Sequence, residues 1–458
     1  MKCAHLSVVF FVTVVISLLL SVQTASGQSQ TSSAIRGVVL IADDTPIVGA
    51  TGVEKGSLSN ADGRFLLLLL QPGGPYELTI SYLGYSDLTV EGIQLQVGET
   101  QTLTIYLTES AIEVEGIAVN VERDEIFNPG QVGPATLLNE RMVESVPILS
   151  RDVMELANLS PLVKTTENGG FSIAGQNDRY NQILIDGVTN KDAFGLTAGG
   201  VPGGQAGAKM LPIDAVAQYE ILVAPFDVRL SGFTGGVMNA VTKTGTNDWN
   251  LRAFGVGRHE ALMGDLSLPT GLVNATGVDR SLFGFSAGGP IIRDRAHFFI
   301  STEFEERRQP PTGFNLLRDA PSLVQVTDES MGAFQQLFQN QFGVDTGLSG
   351  PYALEQDLAN IFARVDATVA QGHRLTARTV LASANNEEAP NRAAFEPYEL
   401  SSNAVLRNSQ TTNTSIQLFS ELGARGGNEL EFSIQRTTDE TTPSSPWPQV
   451  EVELRSPV

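Results

Sequence analysis

Apolar and polar positions alternate along most of this chain, most regularly in its second half. After residue 248 the alternation predicts strands at Trp249–Val256, Leu282–Ala287, Phe298–Phe304, Ile361–Val369, Leu375–Ser383, Ile416–Leu422 and Leu430–Arg436. The connections between them run long, short, long, short, long, short. The short ones are Gly-rich or charged turns at Gly288–His297, Ala370–Arg374 and Gly423–Glu429. The long ones are polar and irregular, at Gly257–Ser281, Glu305–Asn360 and Ala384–Ser415. Strands that each cross a slab once put every short turn on one side and every long loop on the other. That parity is the signature of a bacterial outer-membrane β-barrel.

The faces of these strands carry the same message less decisively. Phe298, Ile300, Thr302 and Phe304 share one face against Phe299, Ser301, Glu303 and Glu305. Ile361, Ala363, Val365, Ala367 and Val369 oppose Phe362, Arg364, Asp366 and Thr368, and Leu430, Phe432 and Ile434 oppose Glu429, Glu431, Ser433 and Gln435. A soluble sandwich alternates in the same way, so the parity of loop lengths decides.

Residues 34–108 predict a small all-β sandwich, with strands at Ala34–Ile41, Arg64–Leu70, Tyr76–Tyr82 and Thr102–Leu107. Asn60, Asp62 and Gly63 read as a β-turn, since the bidentate Glu of a calcium loop does not follow. A β-prone tract, Ile112–Val121, lies in the linker that follows. Residues 134–247 mix short helices and strands. Ser150 is placed to cap a helix with Val153, Leu156 and Leu159 on one face and Pro161 closing it. Strands are expected at Gln182–Val188, ending in an Asp186-Gly187 turn, at Gln218–Val223 and at Phe233–Thr246, with a glycine-rich loop at Gly195–Gly207.

The N-terminus reads as a secretory signal: Lys2, an apolar Leu6–Val22 run, then Ala25-Ser26-Gly27 before Gln28. The rival reading is an uncleaved anchor; the polar stretch that follows favours cleavage. Cys3 is the only cysteine and leaves with the signal, so no disulfide or thiolate metal site is expected. No later stretch approaches the roughly 20 apolar residues of a spanning helix, so insertion would use strands. A net charge of −22 makes nucleic acid an unsuitable partner.

Catalytic chemistry finds no constellation. His259, His297 and His373 fall in no metal-binding or catalytic pattern and sit at strand or turn edges. Neither a nucleophile elbow nor a phosphate loop is present. The glycine pairs 199–200, 203–204 and 235–236 read as tight backbone packing, and Arg293-Asp294-Arg295 as a charged turn at a membrane face. No catalytic residue, cofactor site or metal site is expected.

The segment from Phe233-Thr234-Gly235-Gly236 through Asn239, Thr242 and Gly245 to Asn247 resembles the end of the plug in TonB-dependent outer-membrane receptors, nearest their Oar-like branch. Asp186 and Gly187, Phe171–Asn177, and Pro147–Asp152 with Leu159-Ser160-Pro161 fit the same plug. Gly288–Arg295 and His297-Phe298-Phe299 resemble the first barrel hairpin. Gly37-Val38-Val39, Gly49-Ala50, Asp62-Gly63-Arg64-Phe65 and Gly84-Tyr85 resemble the carboxypeptidase-regulatory-like domain, a transthyretin-like or carbohydrate-binding-like sandwich that is not a peptidase.

The resemblance implies a mainly β protein: signal peptide at 1–27, β-sandwich at 28–110, linker at 111–133, α+β plug at 134–247, and an incomplete antiparallel outer-membrane barrel of seven strands at 248–458. It implies an energy-coupled receptor in the outer membrane, its N-terminal domain periplasmic, taking up an unidentified substrate. TonB of the inner membrane would pair with a strand before the plug. The candidate is Val114, Glu115, Gly116, Ile117, Ala118, Val119, Asn120 and Val121, with a plain linker strand as the alternative. Asp192–Gly207 is a candidate for substrate contact. Plugged transporters have about 22 strands, so the seven read here point to a C-terminally truncated barrel. The competing expectation is a secreted or outer-membrane carbohydrate-binding, peptide-binding or adhesive protein without transport.

Overall fold

The computed structural model describes residues 33–41, 57–60, 62–95, 100–108, 135–166, 170–195, 197, 199–225, 230–262, 266–268, 271–273, 278–309, 328–348, 353–388, 400–421 and 427–445. Alternating Val, Ile and Leu in the first of these segments build a sandwich. Its strands are β1 (Ser33–Leu40), β2 (Arg64–Leu70), β3 (Gly73–Ile80), β4 (Leu88–Leu95) and β5 (Thr100–Tyr106). One sheet runs β2-β1-β5, with β1 antiparallel to β2 and parallel to β5; β3 and β4 form the other. Ile35, Val39, Leu78, Val90, Ile93, Leu95, Leu103 and Ile105 make the core. Strand β4 escapes the alternation rule because its buried residues, Val90, Ile93 and Leu95, are spaced three and then two apart. Gly92 explains this: at φ +76° it forms a bulge that resets the phase. The Asn60 carboxamide oxygen accepts from the backbone N of Asp62 and Arg64, which closes the expected turn.

The second compact unit holds a plug and a wall. The plug contains β6 (Ala135–Asn139), α1 (Glu140–Ser145), β7 (Val163–Thr165), β8 (Phe171–Ile173), β9 (Gln182–Ile185), β10 (Val188–Thr189), β11 (Val216–Val223) and β12 (Gly236–Thr242). Its main sheet runs β10-β9-β12-β11-β6, with β12 parallel to β9. Leu156, Ile173, Ile183, Ile185, Leu211, Tyr219, Ile221 and Met238 fill its core.

Several local expectations are corrected here. The helix after Ser150 is a 3₁₀ turn, Val153–Leu159, capped by Asp152, whose carboxylate accepts from Met154 N. Ser150 Oγ instead accepts from Asp152 N, one step upstream. Leu159, the last residue of the turn, is exposed rather than buried with Val153 and Leu156. The Gln182–Val188 strand is a hairpin, β9 and β10, and the Phe233–Thr246 strand shrinks to β12.

The wall is a seven-stranded sheet in sequence order: β13 (Asn250–His259), β16 (Asp279–Ile292), β17 (Ala296–Gln309), β18 (Leu354–Ala370), β19 (His373–Glu388), β20 (Val405–Glu421) and β21 (Gly427–Pro443). Each expected strand is present, and all are longer than the alternation marked. Polar side chains are tolerated on both ends of these strands, so a polarity pattern stops before the hydrogen bonding does. Two of the long connections are more ordered than expected. The first holds a small hairpin, β14 (Leu266–Leu268) and β15 (Gly271–Val273), and the second a helix, α2 (Asp328–Phe342). Phe334, Phe338 and Phe342 stack along α2 at four-residue spacing, which supports the helix locally.

Polarity in the wall is inverted relative to a water-soluble sheet. Ser301, Glu303, Asn360, Arg364, Asp366, Thr376, Arg378, Asn413 and Gln417 are buried, whereas Phe283, Phe285, Val365, Leu381 and Ile416 are exposed on the opposite face. The buried face meets the plug. Phe299, Phe362 and Val380 join the plug's apolar core. Arg378, Asn413 and Gln417 donate to the carbonyls of Ile185, Thr189 and Asp186. Among the described residues, no helix is long and apolar enough to cross a membrane.

Candidate functional site

Two ionic clusters join plug to wall. The first grows from the turn between β9 and β10. Asp186 and Gly187 both take positive φ, +49° and +77°, as a two-residue hairpin turn of the primed type demands. Gly187 N donates to Asn239 Oδ1, and Asp186 N donates to Ala240 O, so the turn is laid on β12. The buried Asp186 carboxylate then accepts from Thr242 N and Thr242 Oγ1, both at 2.8 Å.

Two wall arginines approach this carboxylate. Arg364 Nη1 lies 3.5 Å from Asp186 Oδ1 and Arg378 Nε lies 3.3 Å from Asp186 Oδ2. Arg364 also donates to Thr242 Oγ1 at 2.8 Å and grips Asp366 in a fork, at 2.7 and 2.9 Å. Thr376 Oγ1 donates to Asp366 Oδ1. Two arginines thus face two aspartates, and the buried group is electrically balanced.

The second cluster centres on Lys209, buried in the plug. Its Nζ donates to Glu303 Oε1 at 3.0 Å, to Glu305 Oε2 at 2.8 Å and to Ser150 O at 2.7 Å. Arg151 bridges Glu303 and Asp214, and Arg280 from the wall binds Glu305 and the carbonyl of Leu149. Arg151 sits at φ +55°, an uncommon conformation for a side-chain-bearing residue, and its guanidinium lies 3.8 Å over the Phe254 ring. Beside it, burial pushes the Asp152 carboxyl above its ordinary range, against the Met154 N–H that lowers it.

Burying ion pairs contributes little net stability, because desolvation offsets most of the attraction; removing one partner is costly. Such clusters therefore fix where the plug sits more than how tightly it is held. Neither cluster offers a nucleophile paired with a base, and among the described residues no group of acidic, His and Cys side chains is arranged to hold a metal.

The expected motif residues other than Phe233 fall at three places. Asp186, Gly187, Asn239 and Thr242 meet in the first cluster. Gly235 and Gly236 pack at the other end of β12, where a Cβ on Gly236 would sit 2.6 Å from Ile173 Cγ2 and 2.7 Å from Leu222 O. Gly245 and Asn247 lie against the first wall hairpin. Phe233 stands half-buried ahead of β12, apart from all three. Gly203 is crowded by Ser409, but a Cβ on Gly199 would meet nothing, so the packing expectation fails there. Val114–Val121 lies outside the described residues. Sequence reasoning did not single out Lys209, Arg151, Arg364 or Arg378; for Arg364 and Arg378 the available signal was an ionisable residue on the polar face of an alternating strand, and for Lys209 and Arg151, which lie outside the strands, no local pattern marked them.

Comparison with known proteins gives three findings. Residues 29–108 match the carboxypeptidase regulatory-like domain family. The chain is 25% identical over 274 residues to the TonB-dependent transporter Oar of Myxococcus xanthus, covering 54% of this chain and 23% of the relative. The chain thus spans under a quarter of that relative's length. Among solved structures, the outer-membrane transporter YddB of Escherichia coli aligns with a TM-score of 0.45 at 10% identity, covering 66% of this chain and 38% of that one. The siderophore receptor PirA of Pseudomonas aeruginosa gives 0.43 at 13%, covering 67% and 41%.

Proposed function

We propose that this chain is the sandwich, plug and leading wall segment of a TonB-dependent outer-membrane receptor that takes up a substrate by energy-coupled transport. One observation carries the reading. In the sheet of β13 and β16–β21, the central strands β16–β20 carry exposed apolar residues on one face and buried, largely polar residues on the other, and a globular plug lies against the buried side. Lipid suits the first face; a wet lumen suits the second. The similarity to the Oar transporter supports the same reading.

In this proposal residues 1–27 direct export, 28–110 form the periplasmic sandwich, 111–133 the linker, 134–247 the plug and 248–458 wall. Val114–Val121 offers its backbone to TonB as an added strand. Pulling there first loads β6, an edge strand hydrogen-bonded only to β11 in the plug sheet, and α1, whose Glu140 and Glu144 reach Lys243 at half-exposed positions. Substrate meets the plug at Asp192–Gly207, where Asp192 accepts from Phe194 N and Thr197 N and Phe194 projects into solvent.

The test is fractionation followed by crosslinking. The expected result is recovery of the protein in the outer membrane, with single cysteines across 114–121 forming crosslinks to TonB. Recovery only as a soluble secreted species would overturn the proposal, and absence of crosslinks at every position would remove this segment from it.

A further inference from the structure

Residues 243–249 join β12 to β13 and lie outside the wall contacts of both clusters. Three observations converge on them. Asn247 Nδ2 donates to Asp294 Oδ1 at 2.5 Å, and Asn247 Oδ1 accepts from Asp294 N at 2.9 Å. His297 Nε2 lies 2.9 Å from the same oxygen. Asp294 is the middle residue of the three-residue turn between β16 and β17, held at φ +61°. One side-chain amide thus takes up both the backbone and the carboxylate of that turn.

Gly245 makes the approach possible. A Cβ there would sit 2.2 Å from Phe298 O and 2.9 Å from Gly289 O, so only glycine lets the connection lie this close to the hairpin. Trp249 closes the far side. Its ring would be 2.9 Å from a Cβ on Gly289, and it meets Phe298 edge-on at 5.6 Å.

We propose that Asn247 is the positioning residue that clamps the exit of the plug to the turn of the first wall hairpin, making that turn the fixed end of the plug. Unclamped, a connection of this length extends by roughly 3.5 Å per residue and lets β12 drift relative to the wall. Clamped, a load entering at the N-terminal side of the plug ends at Asn247. The inference rests on the plug-and-wall reading above but requires neither transport nor TonB.

The experiment is hydrogen exchange on the full chain in outer-membrane vesicles, comparing wild type, Asn247→Asp and the double variant Asn247→Asp/Asp294→Asn. N247D sets two carboxylates against each other. The double variant exchanges donor for acceptor and restores the pairing. N247D should raise exchange at the Asp294 amide and across residues 243–249 by about tenfold, the scale of a lost charge-assisted hydrogen bond. The double variant should return it to near wild type, with the wall strands unchanged throughout. Unaltered exchange in N247D, or failure of the double variant to restore it, overturns the clamp. If N247D is not recovered from membranes, Asn247→Ser takes its place, and unaltered exchange in that variant overturns the proposal equally. Intact clamp behaviour in a protein that forms no crosslinks to TonB across 114–121 leaves the clamp standing and removes only that segment from the transport reading.

Discussion

Arg378, its side chain wholly buried in the wall, lies 3.3 Å from Asp186 at the tip of a plug hairpin. The pair crosses between two bodies, and 192 residues of sequence separate its members. The carboxylate is already satisfied within the plug by Thr242, so the arginine is the group with most to lose.

Asp186→Ala should therefore destabilise the plug by about 3–5 kcal/mol, the scale for orphaning a buried charge. Both Arg364 and Arg378 lose a partner. Limited proteolysis of vesicles checks this: cleavage within residues 170–245 should accelerate while β17–β20 stay protected. Asp186→Asn should cost less, since it keeps an acceptor for Thr242.

At the second cluster, Lys209→Met leaves Glu303 and Glu305 facing each other without their shared cation. Urea unfolding should show a loss of about 3–5 kcal/mol, and adding Glu303→Gln and Glu305→Gln should recover most of it. Strict additivity of the three changes would show that the cluster is not a unit.

Gly236→Ala should cost about 1–3 kcal/mol by overpacking, because the new methyl meets Ile173 and the Leu222 carbonyl. Gly199→Ala, with open space around it, is the control and should fall within about 0.5 kcal/mol of wild type. Thermal melts of the two variants side by side decide this.

Asp152 gives a pH dependence of defined sign. Burial raises its carboxyl above the ordinary value of 3.8, so the folded plug binds that proton more tightly than the unfolded chain does. Its contribution to stability is complete below 3.8 and is lost as pH rises through the raised value. Asp152→Asn retains an N-cap acceptor for Met154 N and removes the titration. Urea midpoints measured against pH should fall for wild type across that window, with the fall absent in the variant.

Legibility in the sequence differs from element to element. Loop parity and alternation located all seven wall strands, because opposite faces of these strands differ in polarity and so impose a period of two. They missed β4, whose Gly92 bulge breaks the period, and α2, whose aromatic stripe sits in a connection read as irregular. The turn at Asp186-Gly187 was legible from local chemistry alone. Its partners were not: Arg364 and Arg378 are ordinary inward residues until the wall brings them to the plug.

Periods of two, turn residues and a motif running from Phe233 to Asn247 already specify the kind of structure. These are local properties, set by backbone sterics and by which face of a strand must avoid water. Which charges meet is settled by the folded chain alone. Pairing Asp186 with Arg378, Lys209 with Glu303, or Asn247 with Asp294 depends on a wall closing past a plug, and no local rule encodes a distance between residues so far apart in the chain.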